Sequence, residues 1–347
     1  MYVAPRVQID DDPLFPVRVA LMPIIGLLAA MWLRSPMPML YPVLFFSLSA
    51  GNRKALDMRR VIAAPIIFSL ALWVMSGLVV MLQGVPLVLV ATMGLVYILA
   101  FYMIYRTGNS FGMLIAVAAV LMSVMGLGSY QAMFYLRGEM TKAAMCTAIF
   151  IPLLYWLLPP KTTEKMVDVY VPVFSDQLMR RAVIRGLTLL AFSLYLYTFL
   201  DFSNMILGVA AMFVLVFPAR RSVWAEAGQR TFSVLLGGSL GMVIVTLLNI
   251  SSHLIVLMAA IFLVVMWLAT KMIHGRLPSM AYQDAASVML SLVGGALATS
   301  EPSFAFMQRA GLTIVGTIVA AFAVSLLETL FLKPTPAPAA LPAGAEA

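Results

Sequence analysis

A guanidinium inside an apolar run needs water, a partner or a task. Arg137 and Arg309 each open such a run, 172 residues apart, and a charge within a lipid-spanning helix costs roughly 2.5–3.5 kcal/mol on insertion scales. A planar guanidinium grips a carboxylate through two parallel hydrogen bonds. The chemistry on offer is therefore contact with an organic anion. The plainer alternative, which carries the greater weight, is that both arginines sit at an interface and snorkel to water or lipid phosphate. Glu139 and Lys142 lie close to Arg137 in sequence; on a helix Arg137 and Lys142 are poorly aligned, and Glu139 is expected to face away from both. A second pair of candidate substrate contacts is Arg106, beside Tyr105 and Asn109, and Arg276, in a stretch that also holds His274, Tyr282, Gln283 and Asp284. Asp284 has three readings: a carboxylate favoring a helix N-terminus, a partner for Arg276, or a proton carrier during transport. Glu139 is the other carboxylate placed for proton coupling.

Arg18, Arg60, Arg185 and Arg230 form a third group, at the starts of apolar runs. Together they could line a basic vestibule that concentrates anions. As ordinary topology anchors facing anionic lipid, worth about 1 kcal/mol each, they need no further role, and that reading is preferred. Other chemistries find little support. Cys146 is the single cysteine and lies in an apolar run, so neither a disulfide framework nor a Cys metal site is expected. His253 and His274 are separated and near helix ends, which is poor support for a metal centre. No G-x-x-x-x-G-K-[ST] loop occurs, so ATP hydrolysis by that route is not expected. No cofactor and no catalytic residue is assigned, and an intramembrane enzyme would need convergent acid, base or metal groups.

The elements that must position these side chains follow from composition. Hydrophobic residues make up 63% of the chain and charged residues 10%, with a mean hydropathy of +1.02, against about 25% charged in soluble domains. A bilayer, not a soluble core, covers that much apolar surface. Membrane lipid is thus the first partner. The net charge of +8 comes in short clusters between apolar runs, which argues against nucleic acid. A spanning helix needs roughly 20 mainly apolar residues. Twelve candidate spans satisfy or approach this, at 16–33, 37–50, 60–82, 84–105, 109–129, 137–158, 182–200, 203–218, 228–249, 253–273, 281–299 and 305–332. The second and eighth are short. The fold class is all-α, a polytopic transmembrane helical bundle. Asp10, Asp11 and Asp12 precede the first run, the wrong pattern for a cleavable secretory signal. With the N-terminus in the cytoplasm, all of the 22 Lys and Arg residues except Arg34, Arg137, Lys142 and Arg309 fall on the cytoplasmic side, as the positive-inside rule requires. Both termini are then cytoplasmic.

The arginines also suggest a duplication. Arg18 matches Arg185, Arg53 matches Arg221, Arg60 matches Arg230, Arg106 matches Arg276 and Arg137 matches Arg309, at offsets drifting from 167 to 172. Recurring cytoplasmic loops alone explain most of these pairs, but not Arg137 and Arg309, which lie on the opposite side. The expected organisation is a first six-helix repeat over 1–160, a cytoplasmic linker over 161–181, a second six-helix repeat over 182–332 and a Pro/Ala-rich disordered tail over 333–347. An even number of spans gives parallel repeats, with a pathway between them. Gly237, Gly238 and Gly241 carry a G-x-x-x-G spacing that lets another helix approach closely, and Gly294 with Gly295 can do the same. Tyr195, Tyr197 and Trp224 fit an interfacial aromatic belt.

The segment "RSVWAEAGQRTFSVLLGGSLGMVIVTLL" joins a basic loop and Arg230 to that glycine patch, and "FMQRAGLTIVGTIVAAF" repeats an arginine, Arg309, seven residues ahead of a glycine, Gly316, followed by Thr317. With the six-helix half, these motifs resemble the fusaric acid resistance and aromatic acid exporter family of bacterial inner-membrane proteins. The resemblance covers nearly the whole chain by layout. It implies export of small, often aromatic, carboxylic acids with a periplasmic adaptor of the membrane-fusion type. The sizeable cytoplasmic domain of the larger exporters is lacking, so the closer likeness is to compact relatives. The leading expectation is a proton-coupled secondary exporter of small organic anions or toxic compounds in the bacterial inner membrane, with self-association open. The alternative is a non-transporting scaffold or accessory subunit of an envelope complex.

Overall fold

The computed structural model describes residues 12–107, 111–162, 177–199, 220–251, 253–298 and 302–331. Among them are eleven helices and no strand: α1 (Phe15–Trp32), α2 (Leu40–Ser49), α3 (Met58–Leu82), α4 (Pro86–Thr107), α5 (Phe111–Gly128), α6 (Tyr130–Leu157), α7 (Leu178–Phe199), α8 (Arg220–Ile250), α9 (Leu254–His274), α10 (Ser279–Ala298) and α11 (Pro302–Phe331). Eight of these, α1, α3, α4, α5, α6, α8, α9 and α11, contain stretches long and apolar enough to cross a membrane. The protein is therefore a multi-pass membrane protein. Helix α2 is too short for that, and α7 and α10 have the length but more polar residues. The span expected at 203–218, the linker's 163–176 and the tail at 333–347 lie outside the described residues.

Several helices begin well before the runs expected from apolarity. Helix α6 starts at Tyr130, seven residues ahead of Arg137, because Ser129 caps it: its hydroxyl accepts from the Ala132 amide at 3.3 Å. Asp57 caps α3 in the same way, accepting from the Arg59 amide at 3.3 Å. Helix α8 runs from Arg220, ten residues ahead of Arg230. Lipid thickness limits the apolar run, whereas the backbone ladder continues through a charged residue until a cap or breaker ends it. Arg137 and Arg230 therefore do not open their helices, as the apolar pattern suggested; they stand inside them.

Residues before 163 and after 176 pack by matching schemes. In the first set α3 lies against α4, α5 and α6, α4 against α5, α5 against α6, and α1 against α6. In the second α8 lies against α9, α10 and α11, α9 against α10, α10 against α11, and α7 against α11. The two sets are joined reciprocally, α1 on α9 and α7 on α4, with α2 on α10 alongside. Each joining helix is built into the other set's core. Phe15, Val19 and Ala20 of α1 share a cluster with Ile261, Val265 and Leu268 of α9, while Ala182 and Leu189 of α7 share one with Met93, Tyr97 and Phe101 of α4. Glycine supports the tightest contact within a set. A Cβ on Gly237 of α8 would collide with the backbone of Ala285 in α10, and one on Gly241 would meet the Leu292 side chain. The G-x-x-x-G spacing is thus a helix-packing device. Gly294 serves likewise, against Met39.

Candidate functional site

Helix α8 carries Arg230 ten residues past its start, within the 28-residue apolar stretch Val223–Ile250. Arg230 is 8% exposed, and its guanidinium lies 3.3 Å from the Asp284 carboxylate of α10. One turn on, the Ser233 hydroxyl donates to the Ala281 carbonyl at 2.7 Å, and one turn further Gly237 brings the helices into contact. Arg230, Ser233, Gly237 and Gly241 recur at three- and four-residue steps, so all four point at α10. Asp284 therefore pairs across helices with Arg230. It does not pair with Arg276, as sequence proximity suggested; Arg276 is exposed just beyond α9.

Arg18 and Arg185, two further members of the expected vestibule, are also closed into the protein. Arg18 is 1% exposed, forms an ion pair with Asp12, donates to the Leu158 carbonyl at 3.1 Å and lies 4.2 Å above the Tyr155 ring. Asp12 also accepts from the Lys161 amide at 3.2 Å, and Tyr155 donates to the Asn52 carbonyl. This knot ties the chain before α1 to the end of α6. Arg185 is 0% exposed, pairs with Glu328 of α11 at 2.7 Å and lies 5.5 Å from the Tyr105 ring. Charges so desolvated cannot present a field to an aqueous vestibule, nor face lipid headgroups. The vestibule and anchor readings are both replaced for Arg18, Arg185 and Arg230 by buried pairing. Arg60 stands in the first turn of α3 and its side chain lies outside the description.

Arg137 is half-buried on α6. It donates to the Ser76 hydroxyl at 2.9 Å and is stacked 3.8 Å from the Trp73 ring and 4.8 Å from Phe134. Two residues on, Glu139 is 4% exposed and accepts from Ser35, from Tyr41 at 3.2 Å and from Lys142 at 2.8 Å. Glu139 therefore does not face away from Lys142; three residues along a helix lie on one side, and the long lysine stem bends back toward the N-terminus. The turn that delivers Ser35 is unusual. Arg34 adopts φ 48°, left-handed for a non-glycine residue, and the Ser35 amide closes onto the Ala30 carbonyl. Arg106 is exposed at the end of α4 and donates to the Tyr102 hydroxyl at 3.0 Å. Arg309 lies in α11, its side chain outside the description. Helix α6 packs on α1, α2, α3 and α5, and α11 on α7, α8 and α10, so the arginines of the first candidate pair are mounted on different neighbours.

One polar centre escaped the sequence reading. Tyr97, Ser123 and Ser193 are fully buried where α4 and α5 meet α7; the Tyr97 and Ser193 hydroxyls are 3.0 Å apart, and Tyr197 donates to Ser123 at 2.6 Å. Tyr97 is nine residues from Arg106 and eleven from Pro86, about 13 and 16 Å along α4, which is mid-depth in a hydrocarbon layer of roughly 30 Å. Tyr197 is accordingly part of the core and not of an interfacial belt. The available signal was weak: Ser123 is one of several hydroxyls in apolar runs, and only pairing distinguishes it. Among the described residues no three His, Cys, Asp or Glu side chains converge on a possible metal position. Comparison with protein-family models, with curated proteins and with solved structures finds no match to this chain.

Proposed function

We propose that this chain is a bacterial inner-membrane secondary transporter that exports small organic acids, aromatic carboxylic acids among them, together with a periplasmic adaptor. In this reading it is a compact relative of the fusaric acid resistance and aromatic acid exporter family, with both chain ends in the cytoplasm. The finer architecture goes with it: two like-facing six-helix repeats and a route between them, supported by the matching packing schemes and the reciprocal α1–α9 and α4–α7 contacts.

The observation that carries the reading is the Arg230–Asp284 pair inside a membrane-length helix. A buried ionisable pair on a membrane-length helix is expensive and is by default a candidate substrate or proton site. Protonation of Asp284 at its carboxylate removes one negative charge beside Arg230, and the guanidinium then takes the substrate carboxylate in its place. Loss of that proton on the other side restores the ion pair and expels the anion, so proton and acid cross together and the outward gradient of the acid drives export. Charge in the site is conserved at each step, which is the condition for cycling through a low-dielectric medium.

The test is uptake of benzoate, 4-hydroxybenzoate and fusaric acid by proteoliposomes of the purified full chain under an imposed proton gradient. Wild type should accumulate at least one acid, Asp284→Asn should lose gradient-driven accumulation while keeping acid-for-acid exchange, and Arg230→Gln should lose both. A wild-type protein that moves none of them, with or without the adaptor, leaves the scaffold alternative standing.

A further inference from the structure

Helices α7 and α11 meet through the Arg185–Glu328 pair, and a cleft lined by residues of both runs beside it. Two cavities fill the cleft. One, about 460 Å³, is lined by Met179, Val183 and Phe331, with Arg180 on its rim. The other, about 660 Å³, continues past Ala191 and Val315 to Tyr195. Both are bounded by Leu187 and Leu327, so they form one groove. From Arg180 to Tyr195 it runs fifteen residues, about 22 Å along α7, longer than one leaflet's half of a hydrocarbon layer of roughly 30 Å.

The groove is apolar along its length and cationic at one end. Thr188 lines the wall, but its hydroxyl donates to the Ile184 carbonyl at 2.8 Å and offers no free donor to a guest. Arg180 is exposed and makes no ion pair with any described residue. Glu328, on the same stretch of α11, is engaged by Arg185 and does not neutralise the rim. An elongated apolar slot with a guanidinium at its mouth that no described residue pairs is complementary to a molecule with one anionic head and a long alkyl tail. Basic pockets between membrane helices take anionic headgroups on this principle.

We propose that the α7–α11 groove binds one anionic phospholipid, its phosphate on Arg180 and an acyl chain lying along α7 past Ala191. The site is separate from the Arg230–Asp284 pair and does not rest on transport.

The experiment is native mass spectrometry of the full chain released from nanodiscs of equimolar phosphatidylglycerol and phosphatidylcholine. Wild type should retain one phosphatidylglycerol, preferred about five-fold, the ratio expected for one arginine at a headgroup. Arg180→Gln should abolish the preference while some lipid of either kind remains. Ala191→Trp, which fills the slot from an outward position, should remove the retained lipid altogether. Equal retention of the two lipids by wild type, or a preference unchanged in Arg180→Gln, overturns the proposal. So does a lipid-free groove in which Ala191→Cys cross-links to a second copy in the bilayer, since the occupant is then another chain.

Discussion

Arg18 illustrates what a buried charge does at the scale of one residue. Its pairing with Asp12, its bond to the Leu158 carbonyl and the Tyr155 ring beneath it form a closed set in which removing one member strands the others. Arg18→Met should therefore cost about 3–5 kcal/mol in a reversible unfolding titration in mild detergent, because Asp12 is left buried and unpaired. The double variant Arg18→Met, Asp12→Leu should recover most of that loss; a double variant as unstable as the single would show that the charge pair itself is not what matters. Neutral hydroxyls behave differently. Tyr97→Phe removes a bond to Ser193 at mid-depth, and hydrogen bonds between membrane helices average about 0.6 kcal/mol. The same titration should register a loss of about that size, several-fold below Arg18→Met. The arginines were conspicuous from sequence because charge in an apolar run is rare. Their partners were not: Asp12, Glu328 and Asp284 lie 6, 143 and 54 residues away from them.

At the scale of elements, two kinds of information separate. Local chemistry sets where helices begin, through Ser129 and Asp57 as caps, and apolarity sets which stretches lie in lipid. Helix-to-helix distance is set by small residues at the crossing. Gly237→Ala should push α8 from α10 and weaken the Arg230–Asp284 pair one and two turns away; about 1–3 kcal/mol of stability should be lost, the range for overpacking a tight core. Gly138→Ala, on a helix face where an added Cβ meets nothing within 4 Å, is the matched control and should be neutral or slightly stabilising, since alanine is the better helix former. Equal losses from the two would mean that the α8–α10 approach is not close in the bilayer. The G-x-x-x-G spacing was legible in the chain; that its partner is α10 was not, because a glycine face accepts any neighbour that topology supplies.

For the whole molecule, the reciprocal joining of α1 to α9 and α7 to α4 has a direct consequence. Gly186 of α7 abuts the backbone of Ile98 in α4. In a Cys146→Ser background, Gly186→Cys with Ile98→Cys should form a disulfide under mild oxidation, and proteolysis within 163–176 should then leave one band that separates into two on reduction. Two bands without reduction would refute the α4–α7 contact. Orientation is tested on the same scale: single cysteines at Arg53 and Lys161 should react with an impermeant maleimide from one face of the membrane, and cysteines at Arg34 and Val85 from the other.

What the sequence determined by itself is the solvent of this protein and the material of its fold. With 63% hydrophobic and 10% charged residues, only lipid can cover the surface, and in lipid only helices satisfy the backbone within one segment. The tertiary structure alone decided what the arginines are for. Whether Arg18, Arg185 and Arg230 open onto water or close onto carboxylates depends on which helices stand beside them, and residues far apart in sequence bring those carboxylates. A buried charge is stable only where an opposite charge meets it, and that meeting is a property of packing.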